Sequence, residues 1–141
     1  SKFPVLADII IEDMIDNELP SIVHLDRTTF EPPWQLQHHE LKIMMQDMAL
    51  FTIAKHDGQA IGYQLSNTHD NSIHLTRLAV LPHWQRMGVA SALIADLIQR
   101  TGHRPITVNT QQSNLKSHQF YKKFDFQQLQ LVTPVWQKRI E

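Results

Sequence analysis

The sequence predicts a mixed α/β fold in which helices pack on a layered sheet, and three observations carry that prediction. Short stretches rich in β-branched and aromatic residues are bounded by Gly, Pro, Asn and Asp. Longer stretches repeat their apolar residues near the helical period. The two kinds follow one another as strand, two helices, three strands, helix, strand, helix and two strands. No repeat, low-complexity tract or linker interrupts the 141 residues, so a single domain over residues 1–141 is expected.

Ala7 to Glu12 suits a first strand. Leu19 to Phe30 follows as a helix with Ile22, Val23, Leu25, Asp26 and Phe30, its apolar positions recurring near the helical period. Glu31-Pro32-Pro33-Trp34 ends it, because proline drives the residue before it out of helical backbone. Leu36 to Met48 is the second helix, with Leu41, Met44, Met45 and Met48 along one side; core packing explains that methionine cluster better than a lipid or ligand surface. Leu50 to Lys55 and Ala60 to Asn67 are strands joined through the hairpin signal Asp57-Gly58, and Gly62 inside the second marks a bulge or a close backbone approach. Ile73 to Leu81 is the next strand. The helix Val89 to Arg100 stacks Val89, Leu93 and Leu97 beside Ala90, Ile94 and Ile98, and Gly102 stands where a C-terminal cap belongs. Pro105 to Thr110 is a strand, Ser113 to Phe124 a short helix, and Phe126 to Val132 and Val135 to Arg139 are the closing strands.

The stretch between the fourth strand and its helix carries the chemistry. Leu78 to Leu93 reads LAVLPHWQRMGVASAL: an apolar strand, the turn Gln85-Arg86-Met87-Gly88-Val89-Ala90, and a helix that opens at once. Backbone N–H groups of a first helical turn have no intrahelical partner, and the helix dipole adds about half a positive charge there, so such a turn cradles an anion. A phosphate or pyrophosphate is the expected guest. The glycines at 58, 62, 88 and 102 form neither GxGxxG nor GxxxxGK[ST], so a Rossmann dinucleotide site and a P-loop both lack their glycines.

Composition narrows the classes further. The net charge is −1 with no basic stripe, which argues against nucleic acid as a partner. No apolar run approaches the roughly 20 residues that span a bilayer, and no secretory layout opens the chain, so a cytoplasmic protein without a membrane partner is expected. The absence of cysteine excludes disulfides, thiolate zinc sites and a cysteine nucleophile. Nine histidines are present but none in an HExxH arrangement, so no metal site is assigned.

These residues resemble the GNAT superfamily of acyl-CoA N-acyltransferases. Gln85-Arg86-Met87-Gly88-Val89-Ala90 fits its Q/R-x-x-G-x-G/A signature, and Arg77-Leu78-Ala79-Val80 followed by Pro82 fits the strand that leads into it. Asn114-Leu115-Lys116-Ser117-His118-Gln119-Phe120-Tyr121 resembles the N-x-x-A-x-x-x-Y segment with Ser117 in the alanine place; Phe124-Asp125-Phe126 resembles L-G-F with Asp125 for glycine. The resemblance runs from about Ala7 to Arg139. It implies a mixed, mostly antiparallel central sheet of about seven strands, helices on both faces, and two strands splayed at an acyl-CoA cleft. It also implies acetyl-CoA as donor, an amine-bearing small molecule or peptide as acceptor, and a monomer or homodimer.

The same resemblance assigns residues. Leu78, Ala79 and Val80 border the pantetheine, with Leu78 and Val80 pairing its amides. Gln85, Arg86, Met87, Gly88, Val89 and Ala90 hold the pyrophosphate, and Asn114 bonds the cofactor or caps its helix. Tyr121 is placed near the thioester sulfur as a donor to the departing thiolate, or is a core aromatic of its helix. Arg86, Arg104, Lys116 and Lys122 are rim charges available to a 3′-phosphate or to solvent. Pro33-Trp34 resembles the ribosomal-protein N-terminal acetyltransferases of the superfamily, in which a glutamate base precedes the Asn motif; here that position is Asn109, which cannot act as a base. His74 is the alternative base by its unperturbed pKa, and Glu31 a weaker one. A non-catalytic acyl-CoA-binding or sensor module is the competing reading.

Overall fold

The computed structural model describes residues 8–32, 35–46, 49–69, 71–102, 104–109, 122, 126–129 and 135–138. Strands β1 (Ile9–Asp13), β2 (Ala49–His56), β3 (Gln59–His69), β4 (Ser72–Val80), β5 (Ile106–Asn109), β6 (Phe126–Leu129) and β7 (Val135–Lys138) form a seven-stranded sheet in the order β1-β2-β3-β4-β5-β7-β6. Every neighbouring pair is antiparallel except β4 and β5, which run parallel. The mostly antiparallel sheet implied by the resemblance is therefore present. Helices α1 (Leu19–Thr29), α2 (His38–Met45) and α3 (Val89–Arg100) complete the layers.

Local chemistry sets the boundaries. α1 carries a proline in its first turn, where a missing N–H costs nothing, and ends as Phe30 turns extended at φ −111° before Glu31-Pro32. α2 starts at His38 rather than Leu36 because Gln37 is extended and its N–H donates to the returning Glu40 carboxylate at 3.1 Å. Asp57 and Gly58, with φ of 50° and 76°, make the β2–β3 turn with left-handed residues at both positions, as a two-residue hairpin of matching twist requires. The predicted helix over Ser113 to Phe124 lies outside the described residues apart from Lys122, which is helical and exposed.

The core has two sides. Leu19, Ile22 and Leu25 of α1 and Leu41 of α2 pack with Phe51, Ile53, Tyr63, Leu65 and Ala79 on one face of the sheet. Leu93, Ile94 and Leu97 of α3 pack on the other face with Ile61, Ile73, Leu75, Val80, Ile106 and Val108. On β4, Leu75 belongs to the α3 side and Ala79 to the α1 side, although strict alternation would put both on one face. A bulge resolves this. Leu65 pairs Arg77 and Ser66 pairs Leu75, so Thr76 is an extra residue that flips the facing of everything after it. Gly62 adjoins a second shift, where Ala54 pairs Gly62 but Lys55 pairs Ala60.

Candidate active site

The turn before α3 is built from backbone of alternating hand. After Leu81 a 3-10 turn runs over Pro82–Trp84; Arg86 and Gly88 then adopt left-handed φ of 64° and 84°. Such alternation aims successive N–H groups into an anion-binding concavity. Gly88 is the N-cap of α3, so no side chain folds back onto the helix end. The first bond of the helical ladder runs from Ala92 N–H to Gly88 O at 2.9 Å, which leaves the N–H groups of Val89, Ala90 and Ser91 ahead of it. A Ser, Thr or Asp cap would occupy one of those donors; glycine leaves them to a ligand.

Two contacts fix this cradle to the sheet. Val89 is buried, and its Cγ1 would stand 3.2 Å from a Cβ placed on Gly62, which would also meet Ala79 O at 3.0 Å. The close approach read from Gly62 in the sequence is thus the docking point of α3. Gln85 donates its backbone N–H to Pro82 O at 3.3 Å and its side-chain amide to Val80 O at 3.0 Å. The Gln85 backbone N–H and one N–H of its side-chain amide thus brace the cradle against the end of β4.

An open strand edge leads away from the cradle. β4 pairs β5 only from Ile73–Leu75 to Ile106–Val108, while Thr76–Val80 run on along β3 alone among the described residues. Leu81 N–H donates to Ile61 O on β3, and Ala79 O points at Gly62, so residues 77, 79 and 81 direct their backbone toward β3. Alternation then turns the N–H and C=O of Leu78 and Val80 away from β3, where Val80 O accepts the Gln85 amide. Ala79, between them, turns its backbone to β3 and buries its methyl on the α1 side.

At the vertex where β4 and β5 part, polar side chains gather on the face opposite α3. His74 Nδ1 lies 2.8 Å from Thr107 Oγ1, and the register sets Asn67 beside His74. Asn67 accepts from Thr76 Oγ1 and donates to Met44 O at 3.2 Å near the end of α2. His74 sits about 20 Å up-strand from Val80. Asn109 closes β5 one residue beyond Val108 and pairs Val135.

A second cluster escaped the sequence reading. Asp26 of α1 is wholly buried, and its carboxylate accepts bonds from Tyr63 Oη, from Arg77 Nε at 2.7 Å and Nη2 at 2.9 Å, and from Leu36 N–H at 2.7 Å. The Arg77 guanidinium also lies 4.2 Å over the Phe30 ring. Burial, with the Asp26 carboxylate beside it, holds the Tyr63 phenol far above the usual tyrosine range. Burial pulls the Arg77 pKa down, but its bonds to Asp26 and Tyr63 outweigh that and leave it above the ordinary value. The signal was a carboxylate at an inward position of an amphipathic helix, which demands a buried cation.

The acetyltransferase (GNAT) family model matches residues 19–126. The chain belongs to the GNAT acetyltransferase family. This GNAT chain is 32% identical over 81 residues to the spore coat polysaccharide biosynthesis protein SpsD of Bacillus subtilis (strain 168), a match covering 55% of the chain and 28% of SpsD. It therefore spans less than a third of that relative. Its fold is like that of the PaiA N-acetyltransferase from Thermoplasma acidophilum, solved in complex with coenzyme A, with a TM-score of 0.83, 15% identity, and 94% of this chain and 99% of that one covered. It is also like the ribosomal-protein-S18-alanine N-acetyltransferase from Escherichia coli, with a TM-score of 0.81, 14% identity, and 94% and 96% covered.

Several sequence-assigned residues of this GNAT chain lie outside the described set: Tyr121, Asn114, Lys116, Asp125 and Trp34. Arg86, Arg104, Lys122 and Glu31 are exposed. Among the described residues no helix is long and apolar enough to cross a membrane.

Proposed function

We propose that the chain transfers an acetyl group from acetyl-CoA to a primary amine. One observation carries this reading: the open edge of β4 runs from a glycine-capped helix N-terminus to a polar vertex on the opposite face. A pyrophosphate held by N–H groups from Arg86 to Ala90 would lay its pantetheine arm along Leu78 and Val80. The thioester then faces the vertex, and the amine approaches from the side of α1 and α2. That PaiA was solved with coenzyme A supports the same placement by analogy of fold.

The chemistry follows from the groups placed there. The amine attacks only when neutral; an α-amine near pKa 8 is partly so at neutral pH, whereas a lysine amine near 10.4 needs a base. His74 is that base in this reading, acting at Nε2 when its Nδ1–H donates to Thr107 Oγ1. The new C–N bond forms as the carbonyl becomes an oxyanion, which a backbone N–H at the vertex end of the open β4 edge stabilises. Collapse breaks the C–S bond and releases the thiolate. Tyr121 hydrogen-bonds that thiolate and passes its proton in concert, because full prior transfer from a phenol to a thiolate is uphill by about 2 kcal/mol. Isothermal calorimetry with coenzyme A tests the cradle, and thiol release across a panel of peptides with free N-termini, polyamines and aminoglycosides tests the reaction.

Asn109 favours a second reading, an acyl-CoA-binding module without turnover. Tyr121→Phe separates the two. An enzyme loses thiol release on that change, whereas a binding module shows none before or after it and keeps its heat of coenzyme A binding.

A further inference from the structure

We propose that Thr107 is a positioning residue: its hydroxyl holds His74 as the Nδ1–H tautomer and so makes Nε2 the nitrogen that takes the proton of the acceptor amine. The inference rests on His74 as the base in the reading above. It starts from register. Among the described residues β4 and β5 pair only as Ile73–Leu75 with Ile106–Val108, and His74 with Thr107 is the middle pair. Ile73, Leu75, Ile106 and Val108 are buried on the α3 side, so alternation sends His74 and Thr107 together to the α1 side. There His74 Nδ1 stands 2.8 Å from Thr107 Oγ1.

The backbone under this pair is fixed on both flanks. Ile73 N–H donates to Pro105 O at 2.8 Å where β5 begins, and Thr107 pairs Gln137 of β7 on its other side. Threonine is branched at Cβ, so its χ1 is restricted and the direction of its hydroxyl is set with the strand. Asn67, the neighbour of His74 on β3, engages Met44 O and Thr76 Oγ1 with its amide, and it is Thr107 that meets Nδ1. A neutral imidazole carries one N–H, and the nitrogen that holds it has no lone pair to offer. If Thr107 donated to Nδ1, the ring proton would sit on Nε2 and that nitrogen could accept no other. With Nδ1–H donated to Oγ1, the lone pair is on Nε2, the nitrogen farther from the strand. The hydroxyl therefore decides whether this histidine works as a base at its outer nitrogen. Valine has nearly the same shape and suits a strand as well, so the sheet itself has no need of that hydroxyl.

Nitrogen NMR spectra of the imidazoles in the full chain read the tautomer directly, with His74→Gln to assign its signals among the nine histidines. In the unaltered chain the neutral His74 ring is mainly the Nδ1–H form. Thr107→Val mixes the two tautomers and lowers kcat for thiol release by about tenfold or more with the most active amine of the panel above, while KM for acetyl-CoA stays in place. Thr107→Ser restores the tautomer and most of kcat. An Nε2–H form in the unaltered chain overturns the assignment, and that result needs no variant to fold. A Thr107→Val chain with its tautomer unmoved overturns it as well, whatever happens to kcat. Turnover that His74→Gln leaves unchanged overturns the base reading itself, and this role with it, although the Nδ1 bond would still be visible in the spectrum.

Discussion

The two faces of the sheet are held together by different means. On the α3 side the cradle is backbone: N–H groups aimed by the left-handed Arg86 and Gly88, with a glycine cap that withholds its own side chain. On the α1 side it is side chains brought together from afar, with Tyr63 and Arg77 reaching Asp26 across 37 and 51 residues of sequence. Substitutions on the first face should therefore register mainly in donor affinity, and those on the second mainly in stability.

Asp26→Ala is the severest break of this contrast. It strands the half-buried Arg77 cation and the buried Tyr63 hydroxyl at once, and removing one partner of a buried ion pair costs about 3–5 kcal/mol. Urea unfolding should show a loss of that size, with the midpoint lowered and the slope kept. A loss below about 1 kcal/mol would mean that the network contributes little to the fold.

Tyr63→Phe is the next largest. The hydroxyl gives a hydrogen bond to a carboxylate, for which about 1.5–3 kcal/mol is typical. It also has a pH signature. The folded chain raises the Tyr63 pKa above its unfolded value of 10.0, so the neutral phenol is the favoured native form. Its contribution is complete below pH 10 and fades as pH rises beyond it. The stability gap between the unaltered chain and Tyr63→Phe should accordingly narrow above pH 10, and a gap of constant width would contradict the burial of that phenol.

Gly88→Ala costs the fold less, about 1–2 kcal/mol for holding a Cβ in left-handed backbone, and costs the donor site more. If the cap residue relaxes toward negative φ, the N–H groups of the turn diverge and coenzyme A affinity falls about tenfold or more, against little change for Tyr63→Phe. Equal losses of affinity in the two variants would erase the distinction between the faces.

The sequence disclosed the α3 side far better than the α1 side, for the same reason. A backbone cradle is local, so it writes itself into adjacent residues. Gly88, the strand before it and the helix Val89–Arg100 were all legible, and Gly62 announced its contact with Val89. Even there, alternation alone would mislead: it would put Leu75 and Ala79 on one face, and the bulge at Thr76 puts them on two. Nothing in the local pattern marks that bulge, because Thr76 is as good a strand residue as its neighbours. On the α1 side Asp26 stood in its helix beside Leu25, yet Tyr63 and Arg77 lie on two other elements and no spacing rule reaches them. The start of α2 at His38 has a local cause instead, the extended Gln37 whose N–H the Glu40 carboxylate accepts.

The smallest effect lies away from both faces, where Lys55 of β2 ties the entry of α1 to β1. Its ammonium is 2.5 Å from Glu18 and 3.7 Å from Glu12. The bond to Lys55 lowers the Glu18 pKa below 4.5, and the bond to Glu18 raises the Lys55 pKa above 10.5. The Glu18 contribution is therefore present above pH 4.5 and lost as pH falls through its lowered pKa; the Lys55 contribution is present below pH 10.5 and lost as pH rises through its raised one. Between those limits both charges are engaged. Both side chains keep some contact with water, so solvent screening holds the pair to about 1 kcal/mol or less. Lys55→Met should lower the unfolding midpoint slightly at pH 7, with the difference shrinking toward pH 3 and shrinking also in high salt. A difference that survives both treatments belongs to the packed stem of Lys55 rather than to its charge, and coenzyme A affinity should be unmoved in either case.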